Sequence, residues 1–243
     1  MSIAPGILFE VVGFPITNTI VTTLLTDIVL IVLVICISKT ISLRPKGIQN
    51  AIEMAIDYFY TLTEDTAGKK VSFIYPWVLT FFLFIVISNL LAQFPGFESI
   101  RFHPVNYSGE EGVPLFRAAT SDLNVTLALA TISVIATNYL GIKHIGIKSY
   151  LSKFVSFKMF PIFMFVGILE FANELTKFIS FSFRLLGNIF AGESMLSQMY
   201  HLFPIGVPLP FIALELMVAV IQALVFAMLT MAFMHIMTDK PQH

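Results

Sequence analysis

Most of this chain is written in apolar runs too long for the core of a soluble domain, and that feature leaves few ways to fold it. A helix that crosses the ~30 Å hydrocarbon core of a bilayer needs about 20 mostly apolar residues. Five stretches qualify, at about 16–38, 73–93, 123–142, 159–200 and 209–237. Composition agrees, since 57% of the residues are hydrophobic and only 12% charged, against about 25% charged in an ordinary soluble domain. The sequence therefore predicts an all-α integral membrane protein. Residues 1–243 read as a single transmembrane domain with about five membrane-crossing helices. At 1.5 Å per residue the last stretch is roughly 43 Å long and the fourth roughly 60 Å, so both are expected to tilt strongly or to protrude.

The segment at about 46–64 is different. Ile48, Ile52, Ile56 and Phe59 recur at helical spacing, with Gln49, Glu53 and Asp57 offset from them. This is an amphipathic helix, lying on the membrane surface or packed as an ordinary helix on the spans. Basic residues fix the expected orientation. Lys39, Arg44, Lys46, Lys69 and Lys70 lie between the first two spans, Lys143, Lys148, Lys153 and Lys158 between the third and fourth, and Lys240 in the tail. Arg101 and Arg117 fall on the other side, in a loop that also holds Glu98, Glu110 and Glu111. The positive-inside rule then puts the N-terminus outside and the C-terminus in the cytoplasm.

Several function classes drop out. A net charge of −1 gives no reason to expect a nucleic-acid partner. The single cysteine, Cys36, can form no intrachain disulfide. No Gly-x4-Gly-Lys-Ser/Thr loop is present, so the chain is not expected to be an enzyme acting on nucleotides. No cofactor or metal is expected. The start, Met1 to Pro5, lacks the basic region of a signal peptide. His103, His144 and His235 read as solvated, Asp122 with Asn124 as the polar start of a helix, and Asp27 as a relay group or a structural carboxylate.

The fourth and fifth spans contain residues that lipid does not accept. A charge at the centre of a membrane helix costs about 2.5–3.5 kcal/mol on insertion scales and marks a functional site by default. Lys177 and Arg184 lie there with Glu170, Asn173, Glu174, Asn188 and Glu193, and Glu215 and Gln222 follow in the last span. On a continuous helix Glu170, Lys177, Arg184 and Asn188 fall within about 40° of one another. Glu174 flanks them, and Glu193 points elsewhere unless the helix bends near Gly187 or Gly192. Glu215 and Gln222 share a face of the last helix, so two polar stripes can line a wet path. Carboxylates at low dielectric can exchange protons near neutral pH. A guanidinium stays protonated, so Arg184 is read as an electrostatic gate between two aqueous half-paths. Glu174 and Lys177 are spaced to pair with each other. No carboxylate lies one turn from Arg184, whose neighbours at that spacing are Ser180, Phe181, Gly187 and Asn188.

The run Phe183-Arg184-Leu185-Leu186-Gly187-Asn188-Ile189-Phe190-Ala191-Gly192-Glu193 closely resembles the signature of subunit a of F-type ATP synthases. Ile168-Leu169-Glu170 and Lys177 upstream, Gln222-Ala223 with Val225-Phe226 downstream, and Ser121-Asp122-Leu123-Asn124-Val125-Thr126 resemble further motifs of that family in the same order. The resemblance implies a non-catalytic subunit that translocates ions against a rotating ring of c subunits. Peripheral-stalk b subunits and membrane lipid would be its other partners, and ATP chemistry would reside on partner subunits. It implies that Arg184 keeps a ring carboxylate ionised. Glu193, Glu215 and Gln222 would belong to the outer path, Glu170 to the inner, with Asn173 and Glu174 beside it and Asn188 as a polar neighbour of the arginine. Some family members pair a histidine with a glutamate where this chain has Glu193 and Glu215. A bacterial plasma membrane is the expected location. The rival readings are a secondary ion-coupled transporter, for which no paired helix interruptions are found, and an inert scaffold, which leaves Arg184 unexplained.

Overall fold

The structure, a computed structural model, describes residues 5–11, 13–40, 47–94, 96–97, 100–102, 112–147, 150, 162–202 and 206–239. Among the described residues, six long helices carry the fold, as the apolar runs require. They are α1 (Asn18–Thr40), α2 (Ile48–Ala67), α3 (Val71–Ala92), α4 (Leu123–Ile145), α5 (Ile162–Leu202) and α6 (Pro208–Thr238). Among the described residues, four helical stretches are long and apolar enough to cross a membrane: Asn18–Lys39, Gln49–Ala92, Leu123–Ile145 and Pro208–Thr238. The second of these is broken at Gly68, whose φ of 54° only a glycine adopts freely. There α2 ends, and a 3₁₀ turn over Gly68–Lys70 leads into α3. The remaining helix, α5, has 41 residues and is ~62 Å long. It carries the charged residues that the sequence places in the fourth span. The chain is an all-α membrane protein in architecture.

Two short antiparallel pairs were not expected. Strands β1 (Ile7–Val11) and β2 (Phe14–Thr17) form a hairpin ahead of α1. Strands β3 (Arg101–Phe102) and β4 (Val113–Pro114) pair between α3 and α4. They are too brief for a period-2 pattern to stand out in an otherwise apolar sequence.

The packed centre lies where α3, α4 and α6 meet. Phe81, Ile85, Leu129, Ala130, Ala223 and Phe226 are buried there, and α5 adds Phe181 and Leu185. Between α4 and α6 the contact is built from small residues, which let membrane helices approach closely. Ala136 and Ala227 are buried in the seam, and the Ser133 and Thr230 hydroxyls lie 2.9 Å apart across it. At its end, a Cβ on Gly141 would sit 3.0 Å from the Met237 carbonyl. Helix α2 packs on α3 and α6, burying Phe59 and Thr63 while Met54 and Tyr58 stay exposed. Its amphipathic pattern thus has a protein-facing side.

Helix ends are also legible in the chemistry. Asp122 caps α4 by accepting the Asn124 N–H at 2.9 Å, and its other oxygen accepts the Thr19 hydroxyl at 2.6 Å. It is the polar helix start that the sequence suggests. His144 is exposed, as expected, but its ring stacks on Phe73 at 3.8 Å. His235 is not simply solvated. It is half-buried and lies 3.4 Å from Asp239, which also pairs with Lys70. His103 lies outside the described residues.

Candidate functional site

Helices α5 and α6 run antiparallel, and the contacts along them occur in register. Lys177 Nζ stands 4.6 Å from the centroid of the Phe233 ring, and Phe181 packs on Phe226 with centroids 4.8 Å apart. Asn188 Nδ2 donates to Gln222 Oε1 at 2.5 Å. Gly192 meets Glu215, for an added Cβ would lie 2.5 Å from its Oε1. The separate polar stripes of the sequence therefore become one ladder between two helices.

The rungs differ in chemistry. At one end Glu215 and Gln222 are buried, with relative exposures of 5% and 4%. They are two turns apart on α6, or ~10 Å. Glu193 is largely buried, and its Oε2 lies 3.8 Å from Arg117 Nη2. At the other end a cavity of about 420 Å³ opens, lined on the α5 side by Asn173, Thr176, Lys177, Ser180 and Arg184 and on the α6 side by apolar side chains such as Leu229 and Phe233. Between the two lies an apolar waist in which Phe181, Leu185, Ala223 and Phe226 are each at or below 3% exposure. Arg184 stands at this waist. Its Nη2 donates to Ser180 Oγ at 3.3 Å on the cavity side, and Asn188 is one turn away on the other. Among the described side chains no carboxylate comes within ion-pair distance of Arg184. That agrees with a guanidinium whose partner is not on its own helix.

The other expected residues fall out as follows. Glu174 pairs with Lys177 at 2.7 Å within α5, which makes them a mutual pair at the rim of the cavity. Asn173 is exposed and lines the same cavity. Glu170 belongs to α5, but its side chain lies outside the described residues. Glu193 joins Glu215 and Gln222 at the same end of the pair without a break in α5, which runs unbroken through Gly187 and Gly192. Asp27 is exposed on α1 and borders an apolar groove of about 730 Å³ with Trp77 and Phe84.

One residue carries more than the sequence shows. Arg117, which counts there only as a charge in the loop between the second and third spans, is 8% exposed and sits against Glu193. Burial here follows from the segment that holds it. Ala118, Ala119, Thr120 and Ser121 are all buried, and such small uncharged side chains let a loop pack between helices. That uncharged run was the available signal, outweighed by counting Arg117 as a topological charge. Among the described residues, no group of acidic, histidine and cysteine side chains is arranged to hold a metal ion.

Comparison with known proteins gives two findings. Residues 19–235 match the family model described as ATP synthase A chain. The chain is also 29% identical over 231 residues to ATP synthase subunit a of Moorella thermoacetica, an alignment that covers 95% of each chain.

Proposed function

The chain belongs to the ATP synthase A chain family, and from that premise we propose that it forms two ion half-paths against a ring of c subunits with Arg184 as the gate. In this reading the protein is the proton-translocating, non-catalytic subunit of the membrane sector. The ATP chemistry lies on partner subunits. The observation that carries it is the interruption of the polar ladder at Arg184. Buried polar groups approach the arginine from one end, a cavity that carries the polar side chains of Asn173, Lys177 and Ser180 among apolar ones approaches from the other, and an apolar waist separates them.

The outer half-path holds Glu193, Glu215, Gln222 and Asn188. The inner one holds the cavity with Asn173, the Glu174–Lys177 pair and Glu170. A continuous aqueous pore would leak, because protons cross by hopping along water. The waist removes that pore and obliges an ion to ride across on another surface. The exposed face of α5 is suited to offer one. Phe171, Leu175, Ile179 and Phe183 recur there at helical spacing, each at least half exposed, and Gly187 has open space at its Cβ position. Arg184 borders this face, where its fixed charge favours the ionised form of a passing carboxylate. Electrostatic attraction alone accounts for that role, since a guanidinium does not give up its proton.

We assign residues 1–243 to one transmembrane domain, with the N-terminus outside, the C-terminus in the cytoplasm and the whole in a bacterial plasma membrane beside c and b subunits. The positive-inside pattern supports the orientation. Sidedness of access tests the reading. In the assembled complex, with Cys36 replaced by Ser, a membrane-impermeant thiol reagent should modify Asn173→Cys and Ser180→Cys from the inner side only. Glu193→Cys and Glu215→Cys should react from the outer side only. Reaction of any of these positions from both sides would mean a continuous pore and would sink the two-path reading.

A further inference from the structure

We propose that Arg117 is a positioning residue of the outer half-path, a second fixed cation that holds the Glu193 carboxylate in place for ion passage. The inference rests on the function proposed above and extends it to a residue outside the α5–α6 pair. Its first support is location. Arg117 is 8% exposed and its Nη2 lies 3.8 Å from Glu193 Oε2. Glu193 follows Gly192, the residue in contact with the Glu215 carboxylate. The guanidinium therefore stands at the carboxylate end of the ladder, across the carboxylates from the Arg184 waist.

The second support is the way the segment is held. The Arg117 N–H donates to Thr22 Oγ1 on α1 at 3.2 Å. Asn18 Nδ2 donates to the Pro114 carbonyl at 3.2 Å. Thr120 Oγ1 donates to Asn89 Oδ1 on α3 at 2.7 Å, and Thr19 holds Asp122. Four side-chain contacts thus stitch residues 114–122 to α1 and α3. A buried loop needs such partners for its backbone. Here they also present one long cation to a different helix, α5. A segment serving only to link α3 to α4 has no need of a charge there, since removing a guanidinium from water is costly and is offset only by a well-placed opposite charge and hydrogen bonds.

Chemistry fits the task. A flexible glutamate at the mouth of a path samples several rotamers, and only some lie near the next carboxylate. A guanidinium fixed by the scaffold selects among them by charge and by its planar fork of donors. Because it never deprotonates, it cannot itself relay a proton. Its contribution is orientation, which is why it is assigned as a positioning residue and not as a member of the relay.

The test uses the whole complex in inverted vesicles, with assembly checked for every variant, and reads ATP-driven acidification and passive proton conductance. Arg117→Ala should assemble and lose about tenfold in both rates, the order of loss expected when a reacting group is misplaced by a fraction of an ångström or more. Arg117→Lys, which keeps the charge, should recover most of the loss. Glu193→Gln should also be slow, and Arg117→Ala combined with Glu193→Gln should be no slower than Glu193→Gln alone. A merely structural arginine would not give that coupling.

Pumping by Arg117→Ala within twofold of wild type overturns the proposal, as does a double variant whose loss is the product of the single losses. Arg117→Gln serves if the alanine variant does not assemble. If neither assembles, Arg117 is a folding anchor and the proposal fails. Arg184→Ala in the same vesicles separates the two levels of inference. Normal pumping there would remove the parent reading, whereas loss at Arg184 with none at Arg117 would remove only this one.

Discussion

Gly192→Ala places a methyl group where the Glu215 carboxylate now lies. An ideal Cβ there falls 2.5 Å from Oε1, 2.9 Å from Cδ and 3.2 Å from Cγ. Ordinary carbon contacts lie at about 3.5–4.0 Å, so the carboxylate must retreat by about 1 Å. Overpacking of this kind typically costs about 1–3 kcal/mol. The atoms displaced are the far end of a flexible side chain, which points to the lower end of that range. Replacing Gly by Ala inside a helix returns about 0.8–1.0 kcal/mol, so folding and assembly should be nearly unchanged. Ion passage should not be. A misplacement near 1 Å can slow a positioned transfer by about 100-fold, and ATP-driven acidification of vesicles reads that loss directly. Shortening the partner supplies the internal control, since Glu215→Asp withdraws the carboxylate by one methylene. Gly192→Ala with Glu215→Asp should therefore pump faster than Gly192→Ala alone. Wild-type pumping by Gly192→Ala would refute the placement of Glu215 against α5.

Further outcomes follow from the same geometry. Gln222→Leu removes the acceptor of the 2.5 Å bond from Asn188. It should slow pumping and cost about 1–2 kcal/mol, and Asn188→Leu added to it should cost little more in a double-mutant cycle followed by thermal unfolding of the solubilised complex. Asp122→Ala strips the cap from α4 and removes the acceptor of the Thr19 hydroxyl, which keeps only Thr17 as a partner. A loss of about 1–2 kcal/mol should appear as a lower unfolding temperature, with pumping retained in whatever assembles. Phe233→Leu removes the ring 4.6 Å from Lys177 Nζ and should cost about 0.5–1 kcal/mol by the same measurement.

The sequence made the helices and the cluster of charges legible because both are written as departures from a rule. An apolar run of membrane length has one regular solution, and a charge inside it is conspicuous. Arg184 and Glu215 stand out in that way, and Gln222 does so as a polar side chain in an apolar run. What the sequence hid was pairing across helices. Asn188 and Gln222 lie far apart in the chain, and only the antiparallel register of α5 on α6 joins them. Glu193 was placed off the stripe by helical angle, yet it shares an end of the α5–α6 pair with Glu215. Arg117 was hidden for a related reason. A lone arginine between spans counts as a topological marker, and only the fold, which ties residues 114–122 to α1 and α3 and sets the guanidinium 3.8 Å from Glu193, reveals that it faces α5. The hairpin strands escaped because four or five mostly apolar residues are too few to show a distinguishing period.

The most direct test of the account is ATP-driven acidification of inverted vesicles carrying the complete complex, with wild-type chain and with Arg184→Ala, after normal assembly and intact ATP hydrolysis are shown for both. Arg184 is the charged residue at the waist between the outer ladder and the inner cavity, so the account predicts that the alanine variant assembles but does not pump. Acidification at the wild-type rate by Arg184→Ala would contradict it.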